Sequence, residues 1–165
     1  AVYKVGDEFP MLSQRSMHYF RRIAELVLSP VLADDHVHIK RVATAQAASF
    51  VKVAVDTHRA GEDVIAACKP FLYEFRTYTS RTIALVKYHS ELESYIREAL
   101  APAPSRSVRR VDVYREEYQA RVIVERGMIA QFLGRKGMNA AVASKLTGYG
   151  LVLVDEADLG KVAGA

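Results

Sequence analysis

The order of hydrophobic periodicities in this chain runs through once and then starts again. Residues 16–28 carry apolar side chains at helical spacing, with Tyr19, Ile23, Leu26 and Val27 near one face and Arg21, Arg22 and Glu25 off it. Ser16 stands where an N-cap belongs, and Pro30 where such a helix would stop. Two β-rich runs follow, 36–43 and 49–55, and the second alternates Phe50, Lys52 and Ala54 with Val51, Val53 and Val55. Short helices are expected over 61–68 and 73–80, on either side of Pro70, then a strand over 82–88. From Ser90 the order repeats: a helix over 90–100 with Leu92, Tyr95, Ile96 and Leu100 on one face, a break at the two prolines of 101–105, and strands over 108–114 and 118–124. Helices over 127–133 and 138–147 and a strand over 150–154 complete it, with Gly148 placed as a helix C-cap.

An α-β-β-α-α-β order that occurs twice in 165 residues restricts the fold to two small α+β units, each around a three-stranded sheet. The units are expected over 16–89 and 90–157, with residues 1–15 as an N-terminal extension and 158–165 as a flexible tail. Almost no linker separates them, which favours a fixed mutual arrangement. Half of the residues are hydrophobic and a quarter charged, so the chain can build packed cores. A net charge of +4 permits an anionic partner without demanding one. The single Cys68 excludes an intramolecular disulfide, and no apolar run approaches the ~20 residues that span a bilayer. The start lacks the order of a secretion signal, and the chain reads as cytoplasmic.

Between the two last helices lies Gly134-Arg135-Lys136-Gly137. A tight turn there sets the free N–H groups and the positive dipole end of the second helix beside two cations, and glycine lets a sugar-phosphate backbone come close. Taken alone, a G-x-x-G is most often a helix-ending turn. Its position in the duplicated order makes it a candidate phosphate clamp, with Ile129, Leu133, Val142 and 151–153 as an apolar floor for unstacked bases and with Asn139 and Lys145 as neighbouring polar contacts.

The segment AQFLGRKGMNAAVASKLTGYGLVLV resembles the second KH unit of the NusA family of bacterial transcription termination/antitermination factors. That family's pattern, Ala-Ile-Gly-x-x-Gly-Gln-Asn followed by a helix and Leu-Thr-Gly-Trp, is met in ungapped register by LGRKGMN and LTGYG. Met138 replaces the usual Gln and Tyr149 the Trp. YIREALAPAPSRSV resembles the family's Ala-Leu-Ser-Pro-Ala junction, DVIAAC its Asp-Pro-Val-Gly-Ala-Cys stretch, and LSQRSMHYF its Ser-Arg-Thr entry to the first KH helix. The resemblance implies two tandem type II (prokaryotic) KH domains that bind single-stranded RNA at Gly134–Gly137 without enzymatic activity or cofactor. It further implies a part in transcription elongation, termination or antitermination, with RNA polymerase or other transcription-complex proteins as further partners. The family's polymerase-binding and OB-type domains have no counterpart here, so contact through them does not carry over. A reduced factor of a phage or mobile element is one expectation. A protein-recruiting KH module and an RNA chaperone or ribosome-associated KH protein are the alternatives.

In the first unit the loop position reads CKPFLYEF, with Pro70, Phe71 and Leu72 and no glycine, so standard backbone clamping is expected to be lost there. Its aromatics, Phe71, Tyr73, Phe75 and Tyr78, suit a core or a protein-docking surface better than base stacking. Arg106, Arg109, Arg110, Arg115, Arg121 and Arg126 form either a phosphate-contacting surface or an ion-paired strand face with Asp112, Glu116, Glu117 and Glu125. Arg21 and Arg22 carry the same two readings. His36 and His38 share a strand face but lack a third metal ligand nearby, Asp34-Asp35 reads as a turn, and Cys68 reads as a buried small residue.

Overall fold

The computed structural model describes residues 2–5, 14–33 and 36–159. The first unit holds helix α1 (Gln14–Val27), a one-turn helix α2 (Ser29–Leu32), strands β2 (Val37–Ala43) and β3 (Phe50–Thr57), helix α3 (Val64–Cys68), a 3₁₀ helix over Lys69–Thr77, and strand β4 (Thr82–Lys87). The second holds α4 (Leu92–Ala99), β5 (Val108–Tyr114), β6 (Gln119–Val124), α5 (Ile129–Leu133), a 3₁₀ turn over Arg135–Gly137, α6 (Met138–Thr147) and β7 (Gly150–Asp155). In each unit the first two strands pair antiparallel, and the third lies parallel to the second after the helical crossover. The duplicated order of the sequence is thus a duplicated topology. Asp34-Asp35 and residues 160–165 lie outside the described residues.

One strand stands outside the expected scheme. β1 (Val2–Val5), in the stretch expected to be an extension, pairs antiparallel with β7, so the second sheet has four strands in the order β5-β6-β7-β1. The first sheet keeps three, β2-β3-β4, and the outer edge of β4 carries no strand among the described residues.

Local corrections have plain causes. Ser16 lies inside α1, and the buried face is Phe20, Ile23, Ala24 and Val27, whereas Tyr19 and Leu26 are about half exposed. The helix is rotated by roughly one residue from the expected face, which puts the small Ala24 against the sheet at i+4 from Phe20. Pro30 does not end the helical path; it occupies the first turn of α2, where its missing N–H costs nothing. Residues 61–63 precede α3, whose first turn is capped by Asp63 Oδ1 accepting from the Ala66 amide at 3.1 Å.

The two units share apolar packing. Val51, Val53 and Val55 of β3 point into the first unit's own core beside Phe20, Ile23, Val27 and Phe75. The opposite face of that sheet contributes Ala43, Ala54 and Val86 to a cluster with Ile96, Leu100, Phe132, Val142 and Leu146 of the second unit. Helices α4 and α6 therefore cover it, and β3 is buried on both faces. Lys52, the polar member of the alternation, is fully buried and donates from Nζ to the Ala99 carbonyl at the end of α4, 2.6 Å away. Burial pushes its ammonium down to about 7.

Candidate nucleic-acid interface

The chain breaks at Gly134 because α5 cannot continue there. Gly134 closes α5 through its amide to the Ala130 carbonyl (3.0 Å) and has φ 74°, ψ 179°, a region open essentially only to glycine. A Cβ at this position would stand 2.6 Å from Asn139 Cβ and 3.0 Å from the Asn139 amide nitrogen, so α6 packs directly on the bare backbone. Lys136 (φ 55°) and Gly137 (φ 73°) then turn left-handed, and the Gly137 amide donates to Gly134 O at 3.0 Å. A Cβ on Gly137 would meet nothing within 4 Å.

Arg135 and Lys136 stand exposed at the tip, and neither side chain makes a hydrogen bond or ion pair among the described residues. The ten-residue α6 begins immediately after, with no side chain capping its N-terminus. Its first amide, that of Met138, donates to the Arg135 carbonyl, and the positive end of its dipole directly follows the two cations in the chain, which favours an anion.

The other expected site residues are placed differently. Asn139 is buried, and its Nδ2 donates to Leu100 O (2.8 Å) and Phe132 O (2.9 Å), tying together the ends of α4 and α5. Both hydrogens of its amide are thereby used inside the protein, where it positions the loop. Lys145 stands on α6 about 12 Å along the axis from Gly137, at 1.5 Å per residue, and partial burial lowers its pKa. Ile129 is buried, and so are Val142, Leu151 and Leu153, because α5, α6 and β7 all turn their apolar residues into the core built on α4. Only Leu133 and Val152 stay half-buried, so the expected apolar floor does not form on the second unit.

In the first unit no loop interrupts the helical path. Pro70 sits in the first turn of the 3₁₀ helix Lys69–Thr77, which follows α3 directly; Phe75 is buried, Phe71 and Leu72 pack on the core, and Tyr73 and Tyr78 are exposed. Among the described residues, three of the six hairpin arginines are ion-paired: Arg109 with Glu125 (3.4 Å) and Glu156 (2.9 Å), and Arg110 and Arg121 with Asp112 (3.0 and 3.2 Å). Arg21 pairs with Glu25 and also donates to Ile39 O. Cys68 is buried, and burial together with Glu62 pushes its thiol up to about 11, where it is a poor nucleophile. His36 lies 3.4 Å from Glu62, and the rings of His38 and His58 stack edge-on at 4.5 Å. The described residues hold no group of three metal-ligating side chains.

A sheet whose central strand runs antiparallel to one neighbour and parallel to the other, crossed by two helices and built twice, defines a protein of two tandem KH domains. The crystal structure of APE1850 has the same fold, with a TM-score of 0.56 at 16% identity, covering 88% of this chain and all of that one. Residues 92–161 match the family model of the NusA-like second KH domain, and the second unit is a KH domain of that family. Over most of its length the chain is similar to transcription termination/antitermination proteins NusA. Identity is 28% over 153 residues to that of Halalkalibacterium halodurans, covering 90% of this chain and 39% of the relative. It is 30% over 143 residues to that of Mycobacterium tuberculosis, covering 84% and 40%, and 30% over 125 residues to that of Thermus thermophilus, covering 73% and 31%. The chain thus spans well under half the length of these relatives.

Proposed function

We propose that the chain is a non-enzymatic RNA-binding protein that grips the backbone of single-stranded RNA at Gly134–Gly137 and acts in the cytoplasm on transcription elongation, termination or antitermination. The observation that carries this reading is the loop: two cations without an ion pair among the described residues, two glycines with positive φ, and a helix N-terminus that no side chain caps meet in one exposed turn. Such a turn matches the way KH domains clamp about four nucleotides. Similarity to NusA supports this cellular role. No helix among the described residues is long and apolar enough to cross a membrane.

Titration of short single-stranded RNAs against the wild type and Arg135→Asp/Lys136→Asp tests it. The expected result is at least a tenfold loss of affinity, with a log-affinity versus log-salt slope shallower by about 1.4, since each of two phosphate contacts contributes about 0.7 on single strands. Equal affinity and equal slope in the two proteins would refute the reading. A second reading, recruitment of a protein such as RNA polymerase, draws on the exposed Tyr19, Leu26, Tyr73 and Tyr78 of the first unit. Pull-down that survives nuclease treatment and is lost in Tyr73→Ala/Tyr78→Ala supports that reading.

A further inference from the structure

Each KH unit retains a different part of a nucleic-acid site. The second has the glycine turn, yet both edges of its last strand are taken, β7 lying between β6 and β1, and its apolar side chains are in the core. The first has no glycine turn, yet no strand covers the outer edge of β4 among the described residues. Beside that edge runs a groove of about 930 Å³. Ile65, Leu72, Ile83 and Leu85 of the first unit line it, and Gly134, Arg135 and Lys136 of the second unit border it. The loop that lacks a floor therefore opens onto the floor that lacks a loop.

We infer that the two units form one composite site, in which the GRKG turn of the second unit holds the phosphates of a single strand whose bases lie in the first unit's groove. This rests on the RNA-binding reading of the loop and adds to it the surface that meets the bases. The groove suits that occupant on three counts. Half-buried aliphatic side chains and the small Ala84 give unstacked bases an apolar bed. The open edge of β4 offers backbone donors and acceptors to base edges, which single-stranded recognition uses. Exposed Lys69 stands with Arg135 and Lys136 along the lining, so the cations are contributed from both units and favour a polyanion. The first unit, although it has no clamp, would then determine which bases are accepted.

The test introduces charge at two exposed lining positions, Ala47→Glu/Thr82→Glu, and compares it with Ala60→Glu/Ser90→Glu, which adds the same charge at exposed positions outside the groove. Both are titrated with oligouridine and with mixed-sequence RNA of about eight nucleotides, and the wild type is photocrosslinked to RNA carrying 4-thiouridine. The composite site requires at least a tenfold loss in the first variant, a loss under about threefold in the second, and crosslinks within residues 65–85. Urea midpoints identify any loss that comes from misfolding, and crosslinking of the unaltered chain does not depend on either variant. Equal affinities in both variants with crosslinks confined to residues 128–155 would overturn the composite site while leaving the loop reading intact; the groove would then be open to a protein strand. Unchanged binding in Arg135→Asp/Lys136→Asp would remove the loop reading itself, and the composite site with it.

Discussion

The central strands of the two units hold equivalent residues in opposite surroundings. Phe50 and Gln119 each pair with the first residue of their parallel partner strand, Thr82 and Gly150, so Lys52 and Arg121 occupy the same place two residues on. Both are basic. Arg121 lies on a partly open face, pairs with Asp112 and keeps 28% of its side chain exposed. Lys52 lies under α4 and α6 of the second unit, fully buried, with the Ala99 carbonyl as its acceptor. The loops differ in the same spirit: one unit turns on glycines, and the other runs on through a nine-residue 3₁₀ helix. The KH scaffold therefore tolerates either loop and either burial. What a position does is set by what the other unit places against it.

The largest effect is expected where the second unit has adapted most closely to its own loop. Gly134→Val requires a side chain in a backbone region that costs about 1–3 kcal/mol, and it adds overlap with Asn139 and the start of α6, where overpacking costs a similar amount. A loss of about 3 kcal/mol or more in urea unfolding is the expected outcome. The comparison breaks if this variant is as stable as the wild type, because the glycine turn would then be as dispensable in the second unit as it is in the first.

Much of this was legible in the sequence, for an identifiable reason. Strand order, helix order and the position of GRKG follow from local periodicity and turn chemistry, which one unit settles by itself. What escaped depends on contacts between units or across distant sequence. Alternation sets Lys52 on one strand face with Phe50 and Ala54, and only the docking of α4 and α6 makes that face interior. Asn139 reads as a polar neighbour of the loop, and only the converging ends of α4 and α5 supply two carbonyls for its amide. The expected floor at Ile129 failed because α5 is short and lies fully against the core, and nothing local announces that Val2–Val5 would close the edge of β7. In the first unit Pro70 reads as a break between helices. At the first turn of a 3₁₀ helix it lacks only a donor that the helix does not use.

Lys52→Met sharpens the contrast between the central strands through pH. With the folded ammonium pushed down to about 7 and its ordinary value at 10.5, the amine is protonated in both states below pH 7, and the cost of burying charge is fully present. Between these values the unfolded chain holds a proton that the folded chain has released. Stability conferred by this group therefore rises with pH across that window, by up to about 1.4 kcal/mol per unit. Lys52→Met should lack this rise, so the difference between wild type and variant grows in the wild type's favour from pH 7 to 10, measured by urea unfolding. Cys68 and the remaining groups titrate in both proteins and cancel in the difference. Arg121→Met should leave no such pH signature, since a half-open ion pair contributes about 0–1 kcal/mol. Parallel stability curves for wild type and Lys52→Met would show that the amine keeps an ordinary pKa, and the contrast between the strands would collapse to one of packing.

A small effect on stability, and the most informative one about the loop, belongs to Gly137→Ala. The residue is left-handed at φ 73°, ψ 9°, a conformation that costs an L-residue about 1–2 kcal/mol, and Lys136 beside it already adopts that region with a side chain. No atom lies within 4 Å of the added methyl group, so packing contributes nothing further. The unfolding free energy from urea titration should fall by about 1 kcal/mol, well short of Gly134→Val. The methyl group does, however, enter the open space in front of the α6 N-terminus, where a phosphate would come closest. RNA affinity should therefore drop on the order of tenfold, equivalent to about 1.4 kcal/mol, in a protein that is still folded. On the RNA-binding reading the two glycines differ in purpose, Gly134 serving the packing of α6 and Gly137 leaving room for a ligand. A Gly137→Ala protein that binds RNA as tightly as the wild type would show that no backbone comes near this turn, and the glycine would be explained by its dihedral angles alone.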